Sequence, residues 1–108
     1  MAKFVVFFTF KGETVKALMN KPSDRAAAVR EMAGAAGGRM DVYYLMFGAW
    51  DGMVIIDVPD SRTAAVVSLA TASSGAFARL ETHELIEPSE LPDLLSQAGQ
   101  LNYSAPGA

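Results

Sequence analysis

The chain of 108 residues contains no cysteine and a single histidine, His83. Without cysteine, disulfide frameworks, thiolate zinc sites and cysteine nucleophiles are excluded. One histidine among scattered acidic residues is a poor donor set for a metal ion, which needs three or four converging ligands. Basic residues are also few, because 9 Lys and Arg stand against 12 Asp and Glu, and a nucleic-acid surface needs clustered cations. We therefore expect no metal, no cofactor and no nucleic-acid partner.

Long hydrophobic runs are also missing. The apolar run at residues 4–8 (FVVFF) soon reaches Lys11, whereas a membrane-spanning helix needs about 20 apolar residues. A secretory signal peptide would need a longer apolar stretch followed by a small-residue cleavage site. We therefore expect no membrane contact and a cytoplasmic location.

What is present is an alternation of strand-like and helix-like segments. Runs rich in aromatic and β-branched residues predict four strands, at 3–10, 39–47, 53–58 and 77–86. Apolar residues recurring on one face predict a helix at 22–36 and a second one ending near Ser73. A short helical turn at 14–19 and a final short helix capped by Ser89 complete the pattern.

The order of the main elements is β-α-β-β-α-β, which predicts a ferredoxin-like α+β fold. Its four-stranded antiparallel sheet carries both helices on one face, with the first and third strands in the centre. These two strands are also the most continuously apolar ones, as central strands should be. We expect a single domain over residues 1–97 and a mobile C-terminal tail over residues 98–108.

Alternation along the strands divides the sheet into a helix-covered face and an open face. The apolar residues assigned to the open face are Phe7, Leu45, Phe47 and Ile55. Together they form a patch larger than monomers usually leave in water. We therefore expect a second copy of the chain to cover it, sheet against sheet, as in dimeric α+β barrels. A β-bulge in any strand would reverse part of this assignment.

His83 shares the predicted open face with Glu81 and, on the opposite edge strand, with Tyr43. It is either a general acid or base tuned by Glu81, or one member of a charged row on the surface. A partner subunit crossing the open face would enclose a polar pocket near Tyr43 and His83. The alternative places both at a wet interface rim.

The turn at residues 48–52 (GAWDG) is the most specific local feature. A glycine at each end suits a tight reversal with positive φ, and Asp51 is placed to accept backbone N–H groups within the loop. Trp50 either folds back as a lid on the core or marks a contact surface. The candidate ligand-binding residues are therefore Tyr43, Trp50, Asp51 and His83.

The Gly48-Ala49-Trp50-Asp51 motif, followed by an apolar strand and Pro59-Asp60, resembles the signature of the GYD domain family, with Trp50 in place of the family's tyrosine. The resemblance covers about residues 1–90. It implies a ferredoxin-like domain that self-associates, in a family with no settled activity and no catalytic residue to transfer.

Three functions follow as hypotheses from the residues and the resemblance together. The leading one is a self-associating domain that binds a small molecule or regulates, without catalysis. The second is a cofactor-independent enzyme resembling monooxygenases and isomerases of the dimeric α+β-barrel type, and the third is a purely structural assembly module.

Overall fold

The computed structural model of the chain describes residues 1–107. The strands are β1 (Ala2–Phe10), β2 (Arg39–Leu45), β3 (Gly52–Val58) and β4 (Phe77–Glu84). The helices are α1 (Gly12–Asn20), α2 (Arg25–Ala35), α3 (Ser61–Ala72) and α4 (Leu91–Gly99), with a 3-10 turn (Pro88–Glu90) before α4.

The strands form one antiparallel sheet in the order β2-β3-β1-β4. The predicted α+β class and four-stranded antiparallel sheet are confirmed. Besides the two main helices α2 and α3, the segments predicted as a helical turn and a short final helix form the regular helices α1 and α4. Together α2 and α3 supply the helical side of the core.

Carboxylate side chains set where the helices begin. The Asp24 side chain accepts a hydrogen bond from the backbone N–H of Ala27, so α2 starts at Arg25 and not at Pro22. Asp60 accepts in the same way from Thr63 at the start of α3. Ser89 does not cap the last helical segment, because Glu87 and Glu90 form a reciprocal capping box around the 3-10 turn instead.

The hydrophobic core lies between one face of the sheet and helices α2 and α3. Its buried side chains are Phe4, Ala33, Val54, Ile56, Val58, Ala64 and Val67. Every strand member of this set comes from β1 or β3, the two central strands. The buried apolar residues of this set in the central strands therefore face the helices.

A β-bulge at Asp41 reverses the predicted faces of β2. Met40 pairs with Ile56, but Val42 already pairs with Ile55, so Asp41 is an extra residue in this strand. Tyr43 therefore pairs with Val54 and packs against the core, on the face opposite His83. Predicting Tyr43 and His83 on one face was wrong, and Leu45, two residues after Tyr43, likewise leaves the open face.

A second irregularity, between Thr9 and Phe10, changes the start of β4. Phe77 pairs with Phe10, and its ring centroid lies 5.6 Å from that of Phe8 and 5.4 Å from that of Phe10. Phe77 therefore belongs to the helix-covered side, whereas alternation had placed it on the open face. From Arg79 onward the predicted alternation of β4 holds.

Candidate functional site

Trp50 lies on the open face of the sheet, not over the core. Its ring centroid is 5.7 Å from that of Phe7, and the guanidinium carbon of Arg79 sits 3.9 Å above its ring. Such a cation–π contact favours the indole in this position. Ile55 shares the open face with Phe7, whereas Phe47 follows β2 and is fully exposed.

His83 lies on the same face, with its Nε2 atom 3.0 Å from a carboxylate oxygen of Glu81. The histidine side chain is 55 % exposed, and its ring meets Phe7 edge-on at 6.4 Å between centroids. Phe7 therefore brings Trp50 and His83 together, one on each side. The expected partnership of His83 with Glu81 is present, in a half-exposed setting.

Asp51 fastens the 48–52 turn to β1. Its carboxylate accepts a hydrogen bond from the backbone N–H of Phe10 at 2.9 Å, and its own N–H donates to the carbonyl of Phe8 at 2.8 Å. These bonds link the turn to β1. The prediction had placed them within the loop. They occupy the same carboxylate that had been expected to meet a ligand.

Four charged residues form a cluster at one end of the open face: Lys3, Arg39, Asp41 and Asp57. This cluster was not predicted from the sequence. Lys3 bonds to both Asp41 and Asp57, and Arg39 does the same, with all N to O distances at or below 3.2 Å. The hydrogen bonds from Lys3 and then Arg39 hold the pKa of Asp41 below its usual value. The same contacts raise the pKa of Lys3 and of Arg39.

Asp57 is the buried member of this cluster, with only 6 % of the residue exposed. Its Oδ2 atom accepts from both cations, but its Oδ1 atom has no hydrogen-bond partner within residues 1–107. An acid inside the otherwise apolar β3 segment MVIIDV is the sequence signal that could have identified the cluster.

On the other side of the sheet, a cavity of about 60 Å³ lies between the strands and helices α2 and α3. Most of its walls are apolar, among them Phe8, Val29 and Leu80. The phenol of Tyr43 and the guanidinium-bearing side chain of Arg25 also line it. Burial raises the pKa of Tyr43, so its hydroxyl stays protonated at neutral pH and can donate a hydrogen bond.

A wider groove adjoins this cavity beside α1 and the start of α2. Its volume is about 500 Å³, and it shares Phe10, Arg25 and Tyr43 with the cavity. Leu18 and Leu45 extend its apolar wall. Cavity and groove therefore lie side by side, with the exposed Arg25 on the wall of both, and we call the two together the cleft.

Within residues 1–107, no group of three or more histidine, aspartate or glutamate side chains is arranged to hold a metal ion. None of the helices described has the length and apolar character to cross a membrane.

Comparison with solved structures supports the fold. The chain is similar to FFRP-DM1 (11 % identity, TM-score 0.55, covering 80 % of this chain and 100 % of that one). It is also similar to At3g17210 from Arabidopsis thaliana (8 %, TM-score 0.56, covering 81 % and 95 %). A third such structure is TTHA0845 from Thermus thermophilus (19 %, TM-score 0.53, covering 81 % and 95 %).

At these identities the likeness concerns the fold alone. No curated protein matches the chain significantly. The GYD domain model matches residues 4–95, including all of the sheet except the first two residues of β1, the 48–52 turn and the cleft. Because this match covers far more than half of the sequence, the chain belongs to the GYD domain family.

Proposed function

We propose that this protein is a self-associating cytoplasmic domain that binds a small apolar molecule carrying an anionic end, without chemical conversion. The observation that carries the proposal is the cleft on the helix side of the sheet. Its closed part is apolar, and its open part exposes a guanidinium group.

The two parts of the cleft suit different parts of one ligand. The inner cavity, at about 60 Å³, has room for a short apolar group. The outer groove, at about 500 Å³, has the volume of an ordinary ligand site. A ligand with its apolar end inside would place its polar end near Arg25 and Tyr43.

Arg25 and Tyr43 favour an anionic end such as a carboxylate. The guanidinium of Arg25 offers planar, paired donors that match a carboxylate. The protonated hydroxyl of Tyr43 adds a neutral donor on the same wall. Within residues 1–107, the Arg25 guanidinium makes one long hydrogen bond, from Nη1 to Ser23 Oγ at 3.3 Å, which leaves its other donors available.

Self-association is the second part of the proposal, with a ferredoxin-like sheet packing face to face in a dimer. The open face supports it through Phe7 and Ile55, both partly exposed in a single copy, and through Trp50 beside them. Trp50, Arg79 and His83 would then lie at the interface. The original patch loses Leu45, which lines the groove instead.

An enzyme of the dimeric α+β-barrel type is the alternative. The specific observation in its favour is Tyr43, because its phenol lines the apolar cavity and could hydrogen-bond or pass a proton to a substrate held there. Purification from the native host would separate the two: a co-purifying compound recovered unchanged supports binding, whereas its conversion by added protein supports catalysis.

The binding proposal is tested with octanoate and its uncharged counterpart octanol, using calorimetry on the wild type and two variants. We expect octanoate to bind more tightly than octanol, and Arg25→Gln to remove this preference, weakening octanoate binding about tenfold. Arg62→Gln, an exposed change on α3, is the matched control and should leave octanoate binding unchanged. Equal binding of the two probes by wild type, or equal losses in both variants, would contradict the proposal.

A further inference from the structure

Beyond a backbone hydrogen bond from Leu85 to Lys3, the segment after β4 makes little contact with the rest of residues 1–107. Every described residue from His83 to Gly107 is exposed, and α4 makes more than marginal contact only with the 3-10 turn before it. The radius of gyration is 17.4 Å, against about 13 Å for a compact domain of this size. We call residues 85–103 the arm.

The helical part of the arm, α4, is amphipathic, and its apolar side has no partner within residues 1–107. Leu91, Leu94 and Leu95 follow the spacing of one helix face, and Leu95 is 61 % exposed. Glu90 falls on the flank of this leucine stripe, whereas Asp93 lies on the far side of the helix. An exposed stripe of this kind indicates a contact surface.

Charge is distributed unevenly between the arm and the rest of the chain. The stretch from residue 84 to the end contains Glu84, Glu87, Glu90 and Asp93 and no lysine or arginine. All nine basic residues therefore precede the arm. An acidic helix with an apolar stripe calls for an apolar surface with basic residues beside it.

The groove next to the cavity has this character. Leu18 and Leu45 provide its apolar wall, and Leu45 is 68 % exposed. Arg25 lies within it beside Asp24, whose carboxylate accepts the Ala27 N–H at the start of α2. Lys21 lines the adjoining hollow that shares Phe10 and Leu18 with the groove. Charge and apolar surface are thus complementary between arm and groove.

The arm leaves the sheet at the end away from the groove of its own copy. The arm leaves β4 at Glu84, which pairs with Phe4, whereas the groove lies at Phe10 near the other end of β1. Six residues of strand separate these points by about 20 Å. Of the residues described, none that line the groove belong to the arm.

We infer that the arm of one copy docks in the groove of a second copy, with the leucine stripe against Leu18 and Leu45 and its acidic flank toward Lys21 and Arg25. The docked helix closes the mouth of the apolar cavity. The binding site is therefore complete only in the assembly. This inference rests on the proposed self-association and adds the element that crosses between copies.

Because the chain has no cysteine, disulfide trapping tests this contact cleanly. Leu95→Cys and Leu45→Cys are prepared separately, one of them labelled with ¹⁵N, then mixed and oxidised under mild conditions. Mass spectrometry then distinguishes mixed from like-with-like dimers. The control is Leu95→Cys mixed with Val66→Cys, an exposed position on α3. We expect the Leu95→Cys and Leu45→Cys pair to cross-link at least about fivefold faster than this control pair.

Light scattering on the wild type tests self-association separately from the contact between arm and groove. A dimer whose Leu95→Cys and Leu45→Cys variants cross-link no faster than the control pair overturns the arm contact and leaves self-association standing. A monomeric wild type overturns both.

A second measurement checks that the docked arm closes the site. Leu94→Glu places a charge in the leucine stripe without touching the cavity, and we expect it to weaken octanoate binding severalfold. If the wild type binds octanoate and Leu94→Glu binds it equally tightly, the arm does not complete the site.

Discussion

Gly52 shows how one residue position is fixed by a close approach. It opens β3 beside Phe8, and a Cβ atom built on it would lie 2.3 Å from the Phe8 ring and 2.8 Å from the Tyr44 carbonyl oxygen. The carbonyl belongs to the backbone and cannot move independently of the strand pairing. Only glycine fits here, although its φ angle is not positive.

Gly52→Ala should therefore destabilise the fold, by about 1 to 3 kcal/mol in the free energy of unfolding from urea titration. Gly34→Ala, near the end of α2, is the control, because no described atom outside its own helix would lie within 4 Å of its new Cβ. It should stabilise the protein by up to about 1 kcal/mol through helix propensity. Similar losses in both variants would contradict the steric explanation.

At the scale of elements, the bulge in β2 decides which side chains each face receives. It brings Tyr43 to the cleft and leaves Asp41 beside Lys3 of β1 and Arg39 of β2. The extra residue thus joins an edge strand to a central strand through ion pairs. The same bulge separates Tyr43 from His83 by the thickness of the sheet.

The Asp41 cluster should make stability depend on acid. Because its pKa is lowered in the folded state, Asp41 contributes stability above its unfolded pKa of about 3.9, and this contribution is lost as pH falls through the folded pKa. Asp41→Asn lacks the contribution at every pH. The difference in Tm between wild type and Asp41→Asn should therefore be largest near neutral pH and shrink below about pH 4.

Glu31→Gln is the control for this titration, since Glu31 is exposed on α2 and has no ion pair within residues 1–107. Its Tm difference from wild type should stay nearly constant over the same range. A constant difference for Asp41→Asn as well would show that the cluster does not stabilise the fold.

At the scale of the whole molecule, apolar surface remains uncovered in two places. The open face presents Phe7, Ile55 and Trp50, each partly exposed, and the arm presents its exposed leucine stripe. Sheet-to-sheet packing would cover the first, and docking of the arm would cover the second. The elongated shape of the single copy, 58 Å in its longest dimension, fits a chain completed by assembly.

Ile55→Asp should weaken self-association roughly a hundredfold or more, because it would bury an unpaired charge at the centre of the open face. Val66→Asp, on the exposed side of α3, should leave the assembly unchanged. Sedimentation velocity over a concentration series measures both dissociation constants. Assembly of Ile55→Asp at wild-type affinity would move the interface away from the open face.

The amino-acid sequence alone determined the number of strands, their order along the chain and the two principal helices. These follow from local periodicity, since residues alternate in strands and recur every three to four positions in helices. The membership of Gly48 to Asp51 in a tight turn was local as well. The GYD resemblance, carried by the same residues, is confirmed over residues 4–95.

Only the tertiary structure decided which face receives Tyr43, where Asp51 directs its carboxylate and how Asp57 becomes buried. A bulge depends on pairing with another strand, so alternation along β2 cannot reveal it. The Asp51 bond to Phe10 and the bonds of Lys3 within the charge cluster likewise join residues 38 to 54 positions apart. Sequence periodicity describes neighbours along the chain, whereas the cleft, the cluster and the open face arise from contacts between distant segments.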